Sequence, residues 1–149
     1  MNTQNTQSQR GKRIKLGLAA LGLAIAAGWV GAHGDVTPQA VDTTSLPQLG
    51  DEWLEANPFR GNAQAIRIGD SAYNQNCARC HGLGGISGGI APDLRKLIPG
   101  DDFEDEFYIQ KVRNGVTRNN AVYMPPFEGI LTQEAMWAIR AWLETVHEE

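Results

Sequence analysis

The chain has 149 residues, 42% of them hydrophobic, and a formal net charge of −4 at pH 7. A chain of this length is expected to form one domain. Its acidic balance argues against nucleic acid and against an anionic membrane surface as partners.

The first 32 residues have the pattern of a secretory signal peptide. Four basic side chains within residues 10–15 precede 17 uncharged residues, 16–32. This stretch is shorter than the about 20 residues of a membrane span, and small residues favour cleavage before His33 or Asp35. The pattern predicts a periplasmic protein without stable membrane insertion. An uncleaved membrane anchor is the alternative.

Removal of this segment would make the protein more acidic. It would take away four of the 13 basic residues and none of the 17 acidic ones, which changes the formal charge from −4 to −8. The 117 residues that remain still suit one domain.

Residues 33–63 are predicted to form an N-terminal extension that packs on the domain that follows. Prolines and glycines interrupt any regular period, and we expect one short helix near residues 51–56, capped by Asp51. The segment is nevertheless too apolar for a free tail, with Leu46, Leu49, Trp53, Leu54 and Phe59. An arm that docks on a partner protein is the alternative.

Residues 64–76 show helical periodicity, with Ile66, Gly69 and Tyr73 on one face. A glycine inside a helix costs about 1 kcal/mol relative to alanine. Gly69 therefore predicts that another helix approaches the backbone closely at this point.

Cys77-Ala78-Arg79-Cys80-His81 is a C-x-x-C-H box, the attachment signal for c-type haem. Thiols at this spacing can add to the two vinyl groups of one porphyrin, and His81 then presents its imidazole to the iron. Zinc and a redox dithiol are the alternatives. No further cysteine exists to complete a zinc site, and a thioredoxin-like pair would follow a strand. One covalent haem c is predicted, and a small core gains stability by burying it.

Two further helices are predicted after the glycine-rich loop, residues 82–89, which lacks the ending of a phosphate-binding P-loop. The first begins in the acidic run 101–106, where Asp101 or Asp102 can cap it, and Gly115 ends it. Its inner face is expected to carry Phe103, Phe107 and Val112. The acidic run can also serve as a docking patch for a basic partner.

The last helix is predicted over residues 133–147, with Thr132 as its N-cap. Arg140 and Glu144 are expected to face water. A broad apolar stripe faces the core, formed by Ala135, Met136, Ile139, Trp142, Leu143 and Val146.

The second axial ligand of the iron has three candidates in the sequence. Met136 lies on an apolar helix face, where methionine ordinarily packs in the core, and His147 is close to a terminus that frays. Met124 precedes Pro125-Pro126 and so cannot lie inside a helix. Met124 is therefore the predicted partner of His81. A His/Met pair raises the potential and closes the iron to substrates, which favours outer-sphere electron transfer over catalysis.

With these residues placed, the chain resembles class I cytochromes c over residues 64–149. The resemblance implies an all-α fold whose helices pack around one covalently bound haem. It also implies that Gly69 and Tyr73 contact Trp142. From the segment Ala91-Pro92-Asp93-Leu94 it implies that the Pro92 carbonyl accepts a hydrogen bond from Nδ1 of His81.

A closer resemblance, to the cytochrome c-550 group, rests on residues 32–39, 50–54 and 73–77. It implies a soluble periplasmic carrier that accepts single electrons from a PQQ-dependent alcohol dehydrogenase and passes them to an oxidase or a second cytochrome. Two alternatives remain open. One is a haem enzyme or gas sensor with a displaceable sixth ligand, and the other is a fixed haem subunit of a larger oxidoreductase.

Overall fold

The computed structural model describes residues 37–149, so the predicted signal peptide and its cleavage sites lie outside the described part of the chain. Apart from one hairpin, the regular elements of the described residues are helices and 3₁₀ turns, in agreement with the predicted all-α class. None of the helices within residues 37–149 is long and apolar enough to cross a membrane. The elements are helices α1 (Ala63–Asn76), α2 (Ala78–His81), α3 (Asp102–Asn114) and α4 (Gln133–Thr145), 3₁₀ turns at Leu83–Gly85 and Leu94–Lys96, and strands β1 (Val116–Arg118) and β2 (Ala121–Met124).

Helices α1 and α4 pack against each other and form the centre of the core. A Cβ atom built on Gly69 would lie 1.9 Å from the carbonyl oxygen of Ala138, so only glycine allows this approach. Beside it, the rings of Tyr73 and Trp142 lie 4.4 Å apart between centroids. The close approach predicted from Gly69 is confirmed.

Helix α4 begins as predicted, but it is buried on more sides than its apolar stripe indicates. The Thr132 hydroxyl accepts the Ala135 N–H at 3.2 Å. The prediction that Arg140 and Glu144 face water was wrong, because the Arg140 side chain is 0% exposed and that of Glu144 is 7% exposed. Arg140 Nε donates to Asp105 of α3 at 2.7 Å. Because Asp105 supplies the counter-charge, an arginine can be buried here.

Helix α3 has the predicted ends and a different inner face. Asp101 caps it by accepting the Glu104 N–H at 3.0 Å, and Gly115 follows its last residue. Phe103 and Phe107 were predicted to point inward, but Phe103 is 75% exposed and Phe107 is 47% exposed. The pairing of Asp105 with Arg140 turns the helix so that its buried residues are Asp105, Tyr108, Ile109 and Val112.

Residues 37–62 contain no helix, so the short helix expected near residues 51–56 was wrong. Three backbone N–H groups of this segment bond to side chains of the helices and not to carbonyls of a helical turn. The N–H groups of Leu49, Leu54 and Asn57 each donate at 2.8 Å to a side chain of a helix. The acceptors are Glu134, Gln133 and Asp105 respectively.

Four of the five apolar side chains named for this segment pack on the rest of the domain, and Leu54 is 37% exposed. Leu46 and Phe59 are 5% and 2% exposed, and Leu49 and Trp53 pack partly buried against the same core. Because these side chains are used inside the protein, they are not free to bind a partner. This arrangement argues against the docking-arm alternative.

Strands β1 and β2 form an antiparallel hairpin that the sequence did not predict. Asn119 and Asn120 connect the strands with φ angles of 51° and 61°, the left-handed geometry that asparagine tolerates in tight hairpin turns. The hairpin places Met124 opposite Val116.

Candidate functional site

The C-x-x-C-H box forms one tight turn at the end of α1. Cys77 ends that helix with its N–H donated to Tyr73 O at 2.8 Å, and the N–H groups of Cys80 and His81 return to the Cys77 carbonyl at 3.1 and 2.9 Å. Residues three and four positions apart in a helical turn lie on one face. Cys77, Cys80 and His81 are therefore presented together.

The Cys77 thiol is poorly suited to redox exchange. Burial raises the pKa of the Cys77 thiol to about 12, and the neighbouring Cys80 adds to this effect. A redox dithiol reacts as the thiolate and needs a lowered pKa. The environment of Cys77 therefore argues against the dithiol alternative.

The imidazole of His81 is oriented by the backbone of the loop that follows. Its Nδ1 lies 2.8 Å from the carbonyl oxygen of Pro92. A carbonyl can only accept, so Nδ1 carries the proton in this bond and Nε2 keeps a free lone pair. That tautomer is the one in which Nε2 can bind a metal ion.

Tyr73 supports the turn that carries His81, a contact that the sequence did not predict. Its hydroxyl donates to the Gly82 carbonyl at 2.7 Å. Burial raises the pKa of Tyr73 well above its ordinary value, so the phenol stays a neutral donor. Gly82 has a φ of 82° and lies against Ile86, where an added Cβ would be 1.8 Å from the Ile86 carbonyl oxygen.

Contacts of the segments before and after Met124 in the sequence fix the position of this residue. It ends β2, packs partly buried against the core, and precedes two prolines. After the prolines, the Phe127 N–H donates to Val112 O at 3.0 Å. On the other side, a Cβ on Gly115 would lie 2.4 Å from the Met124 carbonyl oxygen, so α3 and the methionine segment are in close contact.

The other two ligand candidates have different surroundings. Met136 is 0% exposed in the α1–α4 core, and its carbonyl accepts the Tyr108 hydroxyl at 2.9 Å. The Nδ1 atom of His147 lies 2.7 Å from the carbonyl oxygen of Arg95. The Met136 side chain is therefore packed inside the core, and the His147 ring has a hydrogen-bond partner in the backbone.

The donor set and the apolar side chains near it fit a haem. Cys77, Leu94, Leu97 and Met124 pack partly buried against one core. The segments next to His81 and Met124 also expose large apolar side chains, which in a soluble protein mark a binding surface. The exposed residues in these segments are Leu83, Ile86, Ile90, Ile98, Val122 and Tyr123.

The comparison with protein families finds one match that covers more than half of the chain. Residues 64–143 match the family described as "Cytochrome C oxidase, cbb3-type, subunit III". The matched range begins in α1 and ends in α4, so it includes the box, Pro92 and Met124.

Among curated proteins the chain is similar to "Cytochrome c550" of Pseudomonas aeruginosa, with 51% identity over 99% of this chain and 98% of that protein. It is 33% identical to "Quinohemoprotein alcohol dehydrogenase ADH IIB" of Pseudomonas putida over 58% of this chain and 12% of that protein. It is 31% identical to "Cbb3-type cytochrome c oxidase subunit FixP" of Rhizobium meliloti over 70% of this chain and 39% of that protein. No solved structure matches the chain.

Proposed function

Because the chain belongs to the cytochrome c family, we propose that it is a soluble carrier of single electrons in the periplasm, with one haem c attached through Cys77 and Cys80. Bound haem supplies an iron that alternates between the ferric and ferrous states. The protein supplies the thiols, the axial ligands and the surface on which partners dock.

The observation that carries this proposal is the hydrogen bond between His81 and Pro92. It fixes the proton on Nδ1 and leaves Nε2 free. We propose His81 as one axial ligand and Met124 as the other, since Met124 is fixed by the hairpin and by the segment after its two prolines. A site with both axial positions filled has none for a substrate, which favours outer-sphere electron transfer.

The proposed electron donor is a PQQ-dependent alcohol dehydrogenase. Support comes from the resemblance to the cytochrome c-550 group and from similarity to a segment of a protein named as a quinohemoprotein alcohol dehydrogenase. The proposed acceptor is an oxidase or a second cytochrome. Similarity to a protein named as a cbb3-type oxidase subunit supports an oxidase as the acceptor.

One exposed surface fits the proposed docking of a basic partner. The outer face of α3 presents Phe103 and Phe107, one turn apart, beside the exposed carboxylates of Asp102 and Glu106. Lys111 also lies at this surface, with its Nζ 5.3 Å from the centre of the Phe107 ring. Apolar side chains beside the Asp102 and Glu106 carboxylates suit a partner surface that is apolar at its centre and basic where it faces these carboxylates.

The test uses the purified holoprotein in two steps. The ferric form should show the weak near-infrared sulfur-to-iron charge-transfer band of His/Met ligation. In the second step, a quinoprotein alcohol dehydrogenase from the same organism, supplied with alcohol, should reduce the protein in rapid mixing experiments. Absence of the band would contradict the ligand assignment, and absence of reduction would contradict the donor.

A fixed haem subunit of a larger oxidoreductase is the second candidate. The chain aligns with 12% of the quinohemoprotein dehydrogenase, so a similar segment occurs as part of a much larger protein. Gel filtration of the mature holoprotein separates the two possibilities. A carrier elutes as a small monomer that is reduced at a rate proportional to donor concentration. A haem enzyme or gas sensor would instead bind carbon monoxide in the native state.

The proposed export rests on the N-terminal segment. N-terminal sequencing of the protein from the periplasmic fraction should begin at His33 or Asp35. A haem protein that keeps residue 1 and remains with the membrane fraction would contradict cleavage and favour the anchor.

A further inference from the structure

The C-terminal tail, defined here as residues 146–149, bonds to the loop that follows the haem box at Arg95 and at Lys96, whose ammonium donates to the carbonyls of Glu148 at 3.2 Å and Glu149 at 3.3 Å. The Arg95 carbonyl oxygen accepts the backbone N–H of Glu148 at 3.1 Å and lies 2.7 Å from Nδ1 of His147. Because a carbonyl only accepts, His147 donates in this bond. Two donors from the tail therefore fix the backbone at Arg95.

The Arg95 side chain connects the tail to Asp93. Its guanidinium forms an ion pair with Glu148 and donates two bonds to the Asp93 carboxylate, from Nε at 3.0 Å and from Nη2 at 2.8 Å. The Asp93 carboxylate also accepts the Arg95 backbone N–H at 3.0 Å. Two parallel bonds of this kind hold both partners in a defined geometry.

Asp93 lies next to Pro92, whose carbonyl oxygen accepts the Nδ1–H of His81 at 2.8 Å. Arg95 also packs on the box side of the loop, since a Cβ added to Gly85 would lie 3.0 Å from Arg95 Cγ. The contacts thus run without a gap from the chain end to the imidazole, through Arg95, Asp93 and Pro92.

We propose that the C-terminal tail positions the proximal histidine of the haem, by holding Arg95 and Asp93 so that the Pro92 carbonyl stays bonded to His81. This proposal rests on the proposed role of His81 as an iron ligand. His147, Arg95 and Asp93 are positioning residues, since they act on the iron only through Pro92 and His81.

The direction of the effect follows from the hydrogen bond. A carbonyl that accepts from Nδ1–H makes the imidazole a more basic ligand, and a more basic ligand stabilises ferric iron. Loosening the tail should lengthen or break this bond in a fraction of molecules. The reduction potential should then rise, and the Nδ1 proton should exchange faster with water.

The experiment compares two shortened holoproteins, one lacking residues 147–149 and one lacking only Glu149, whose carbonyl accepts from the exposed Lys96 ammonium at 3.3 Å and which has no hydrogen bond to Arg95. Proton NMR of the ferric form resolves the His81 ring, because the iron shifts protons of its ligands. The larger deletion should raise the exchange rate of Nδ1–H by about tenfold or more, whereas the backbone N–H of Tyr73 in α1 should exchange as before. Loss of Glu149 alone should change neither rate.

Full-length substitutions keep the test valid if the shortened chain folds poorly. His147→Leu removes one donor to Arg95 and should raise both the exchange rate and the potential. His147→Asn keeps a donor and should restore both values in part. Equal exchange in all variants, or a parallel rise at Tyr73, would overturn the proposal. An unshifted His81 ring in the intact protein would instead contradict the proposed iron ligand.

Discussion

The α1–α4 helix pair and the segment from His81 to Met124 are held together by different means. In the helix pair, Gly69 lies directly against the backbone carbonyl of Ala138, and the side chains of Tyr73 and Trp142 are buried. The other region joins two 3₁₀ turns, helix α3 and a hairpin, and it exposes large apolar side chains. The helix pair completes its packing with protein atoms, whereas the exposed apolar side chains of the second region fit the apolar surface of the proposed haem.

This comparison predicts that changes in the helix pair and its buried charges affect folding most. Asp105 is 0% exposed and accepts bonds from Asn57, Arg60 and Arg140. Asp105→Ala should lower the free energy of unfolding by about 3–5 kcal/mol, because it removes the hydrogen-bonded counter-charge of the buried Arg140 and leaves only the Glu144 carboxylate, 4.0 Å from Arg140 Nε. Denaturant titration of the holoprotein measures this. Asp102→Ala, at an exposed position of the same helix, is the control and should change little.

The second prediction concerns the contact between the two helices. Gly69→Ala would place a methyl group 1.9 Å from the Ala138 carbonyl oxygen, so the helices must separate, at a cost of about 2–3 kcal/mol in unfolding free energy. Gly88→Ala is the matched control, since nothing lies within 4 Å of its Cβ position. Similar thermal midpoints for the two variants would show that the close approach contributes nothing.

The third change should act on the iron and leave the helix pair intact. Met124→Ala should abolish the near-infrared sulfur band, lower the potential and allow carbon monoxide to bind, with haem still attached through the two thioethers. Met136→Leu, in the core, should keep the band. Retention of the band in Met124→Ala and its loss in Met136→Leu would reverse the ligand assignment.

The fourth prediction separates docking from folding on α3. Asp105 is excluded from this test because its carboxylate is part of a buried ion pair. The double variant Asp102→Asn with Glu106→Gln instead neutralises two exposed carboxylates of the acidic run. This pair should slow reduction by the donor about threefold at low ionic strength and hardly at all at 0.5 M salt, because salt screens exposed charges. Equal rates for variant and native protein at both salt concentrations would limit the run to its role as a helix cap.

The smallest effect is expected on the stability of the folded protein at low pH. Hydrogen bonds from Arg95 hold the pKa of Asp93 well below its ordinary value. A lowered pKa stabilises the folded protein above the unfolded value of about 4, and this contribution is lost as the pH falls toward the folded value. Asp93→Asn should therefore lower stability at pH 7 and flatten its decline between about pH 4 and pH 2. A decline as steep as that of the native protein would contradict this role for Asp93.

Features that depend on neighbouring residues in the chain could be predicted from the sequence. The ends of α3, the start of α4, the glycine at the helix contact and the all-α fold are of this kind. Local sequence gave no indication that Arg140 is buried, because its partner Asp105 lies 35 residues away. The same pairing turns Phe103 and Phe107 outward. The hairpin before Met124 was also missed, although the Asn119-Asn120 pair is a signal that could have indicated it.

The hydrogen bonds of residues 37–62 have a consequence for how this protein can change over generations. At Leu49 and Leu54 the extension offers only main-chain N–H groups to these bonds, and every residue except proline has such a group. The side chains at these two positions are therefore free to vary as far as these bonds are concerned, while their acceptors on α4 are constrained. Asn57 is different, because its side chain also donates to Glu144 at 3.1 Å and accepts the Phe59 N–H at 3.0 Å. A replacement segment would have to keep the apolar spacing, keep Asn57 and avoid proline at the other two positions.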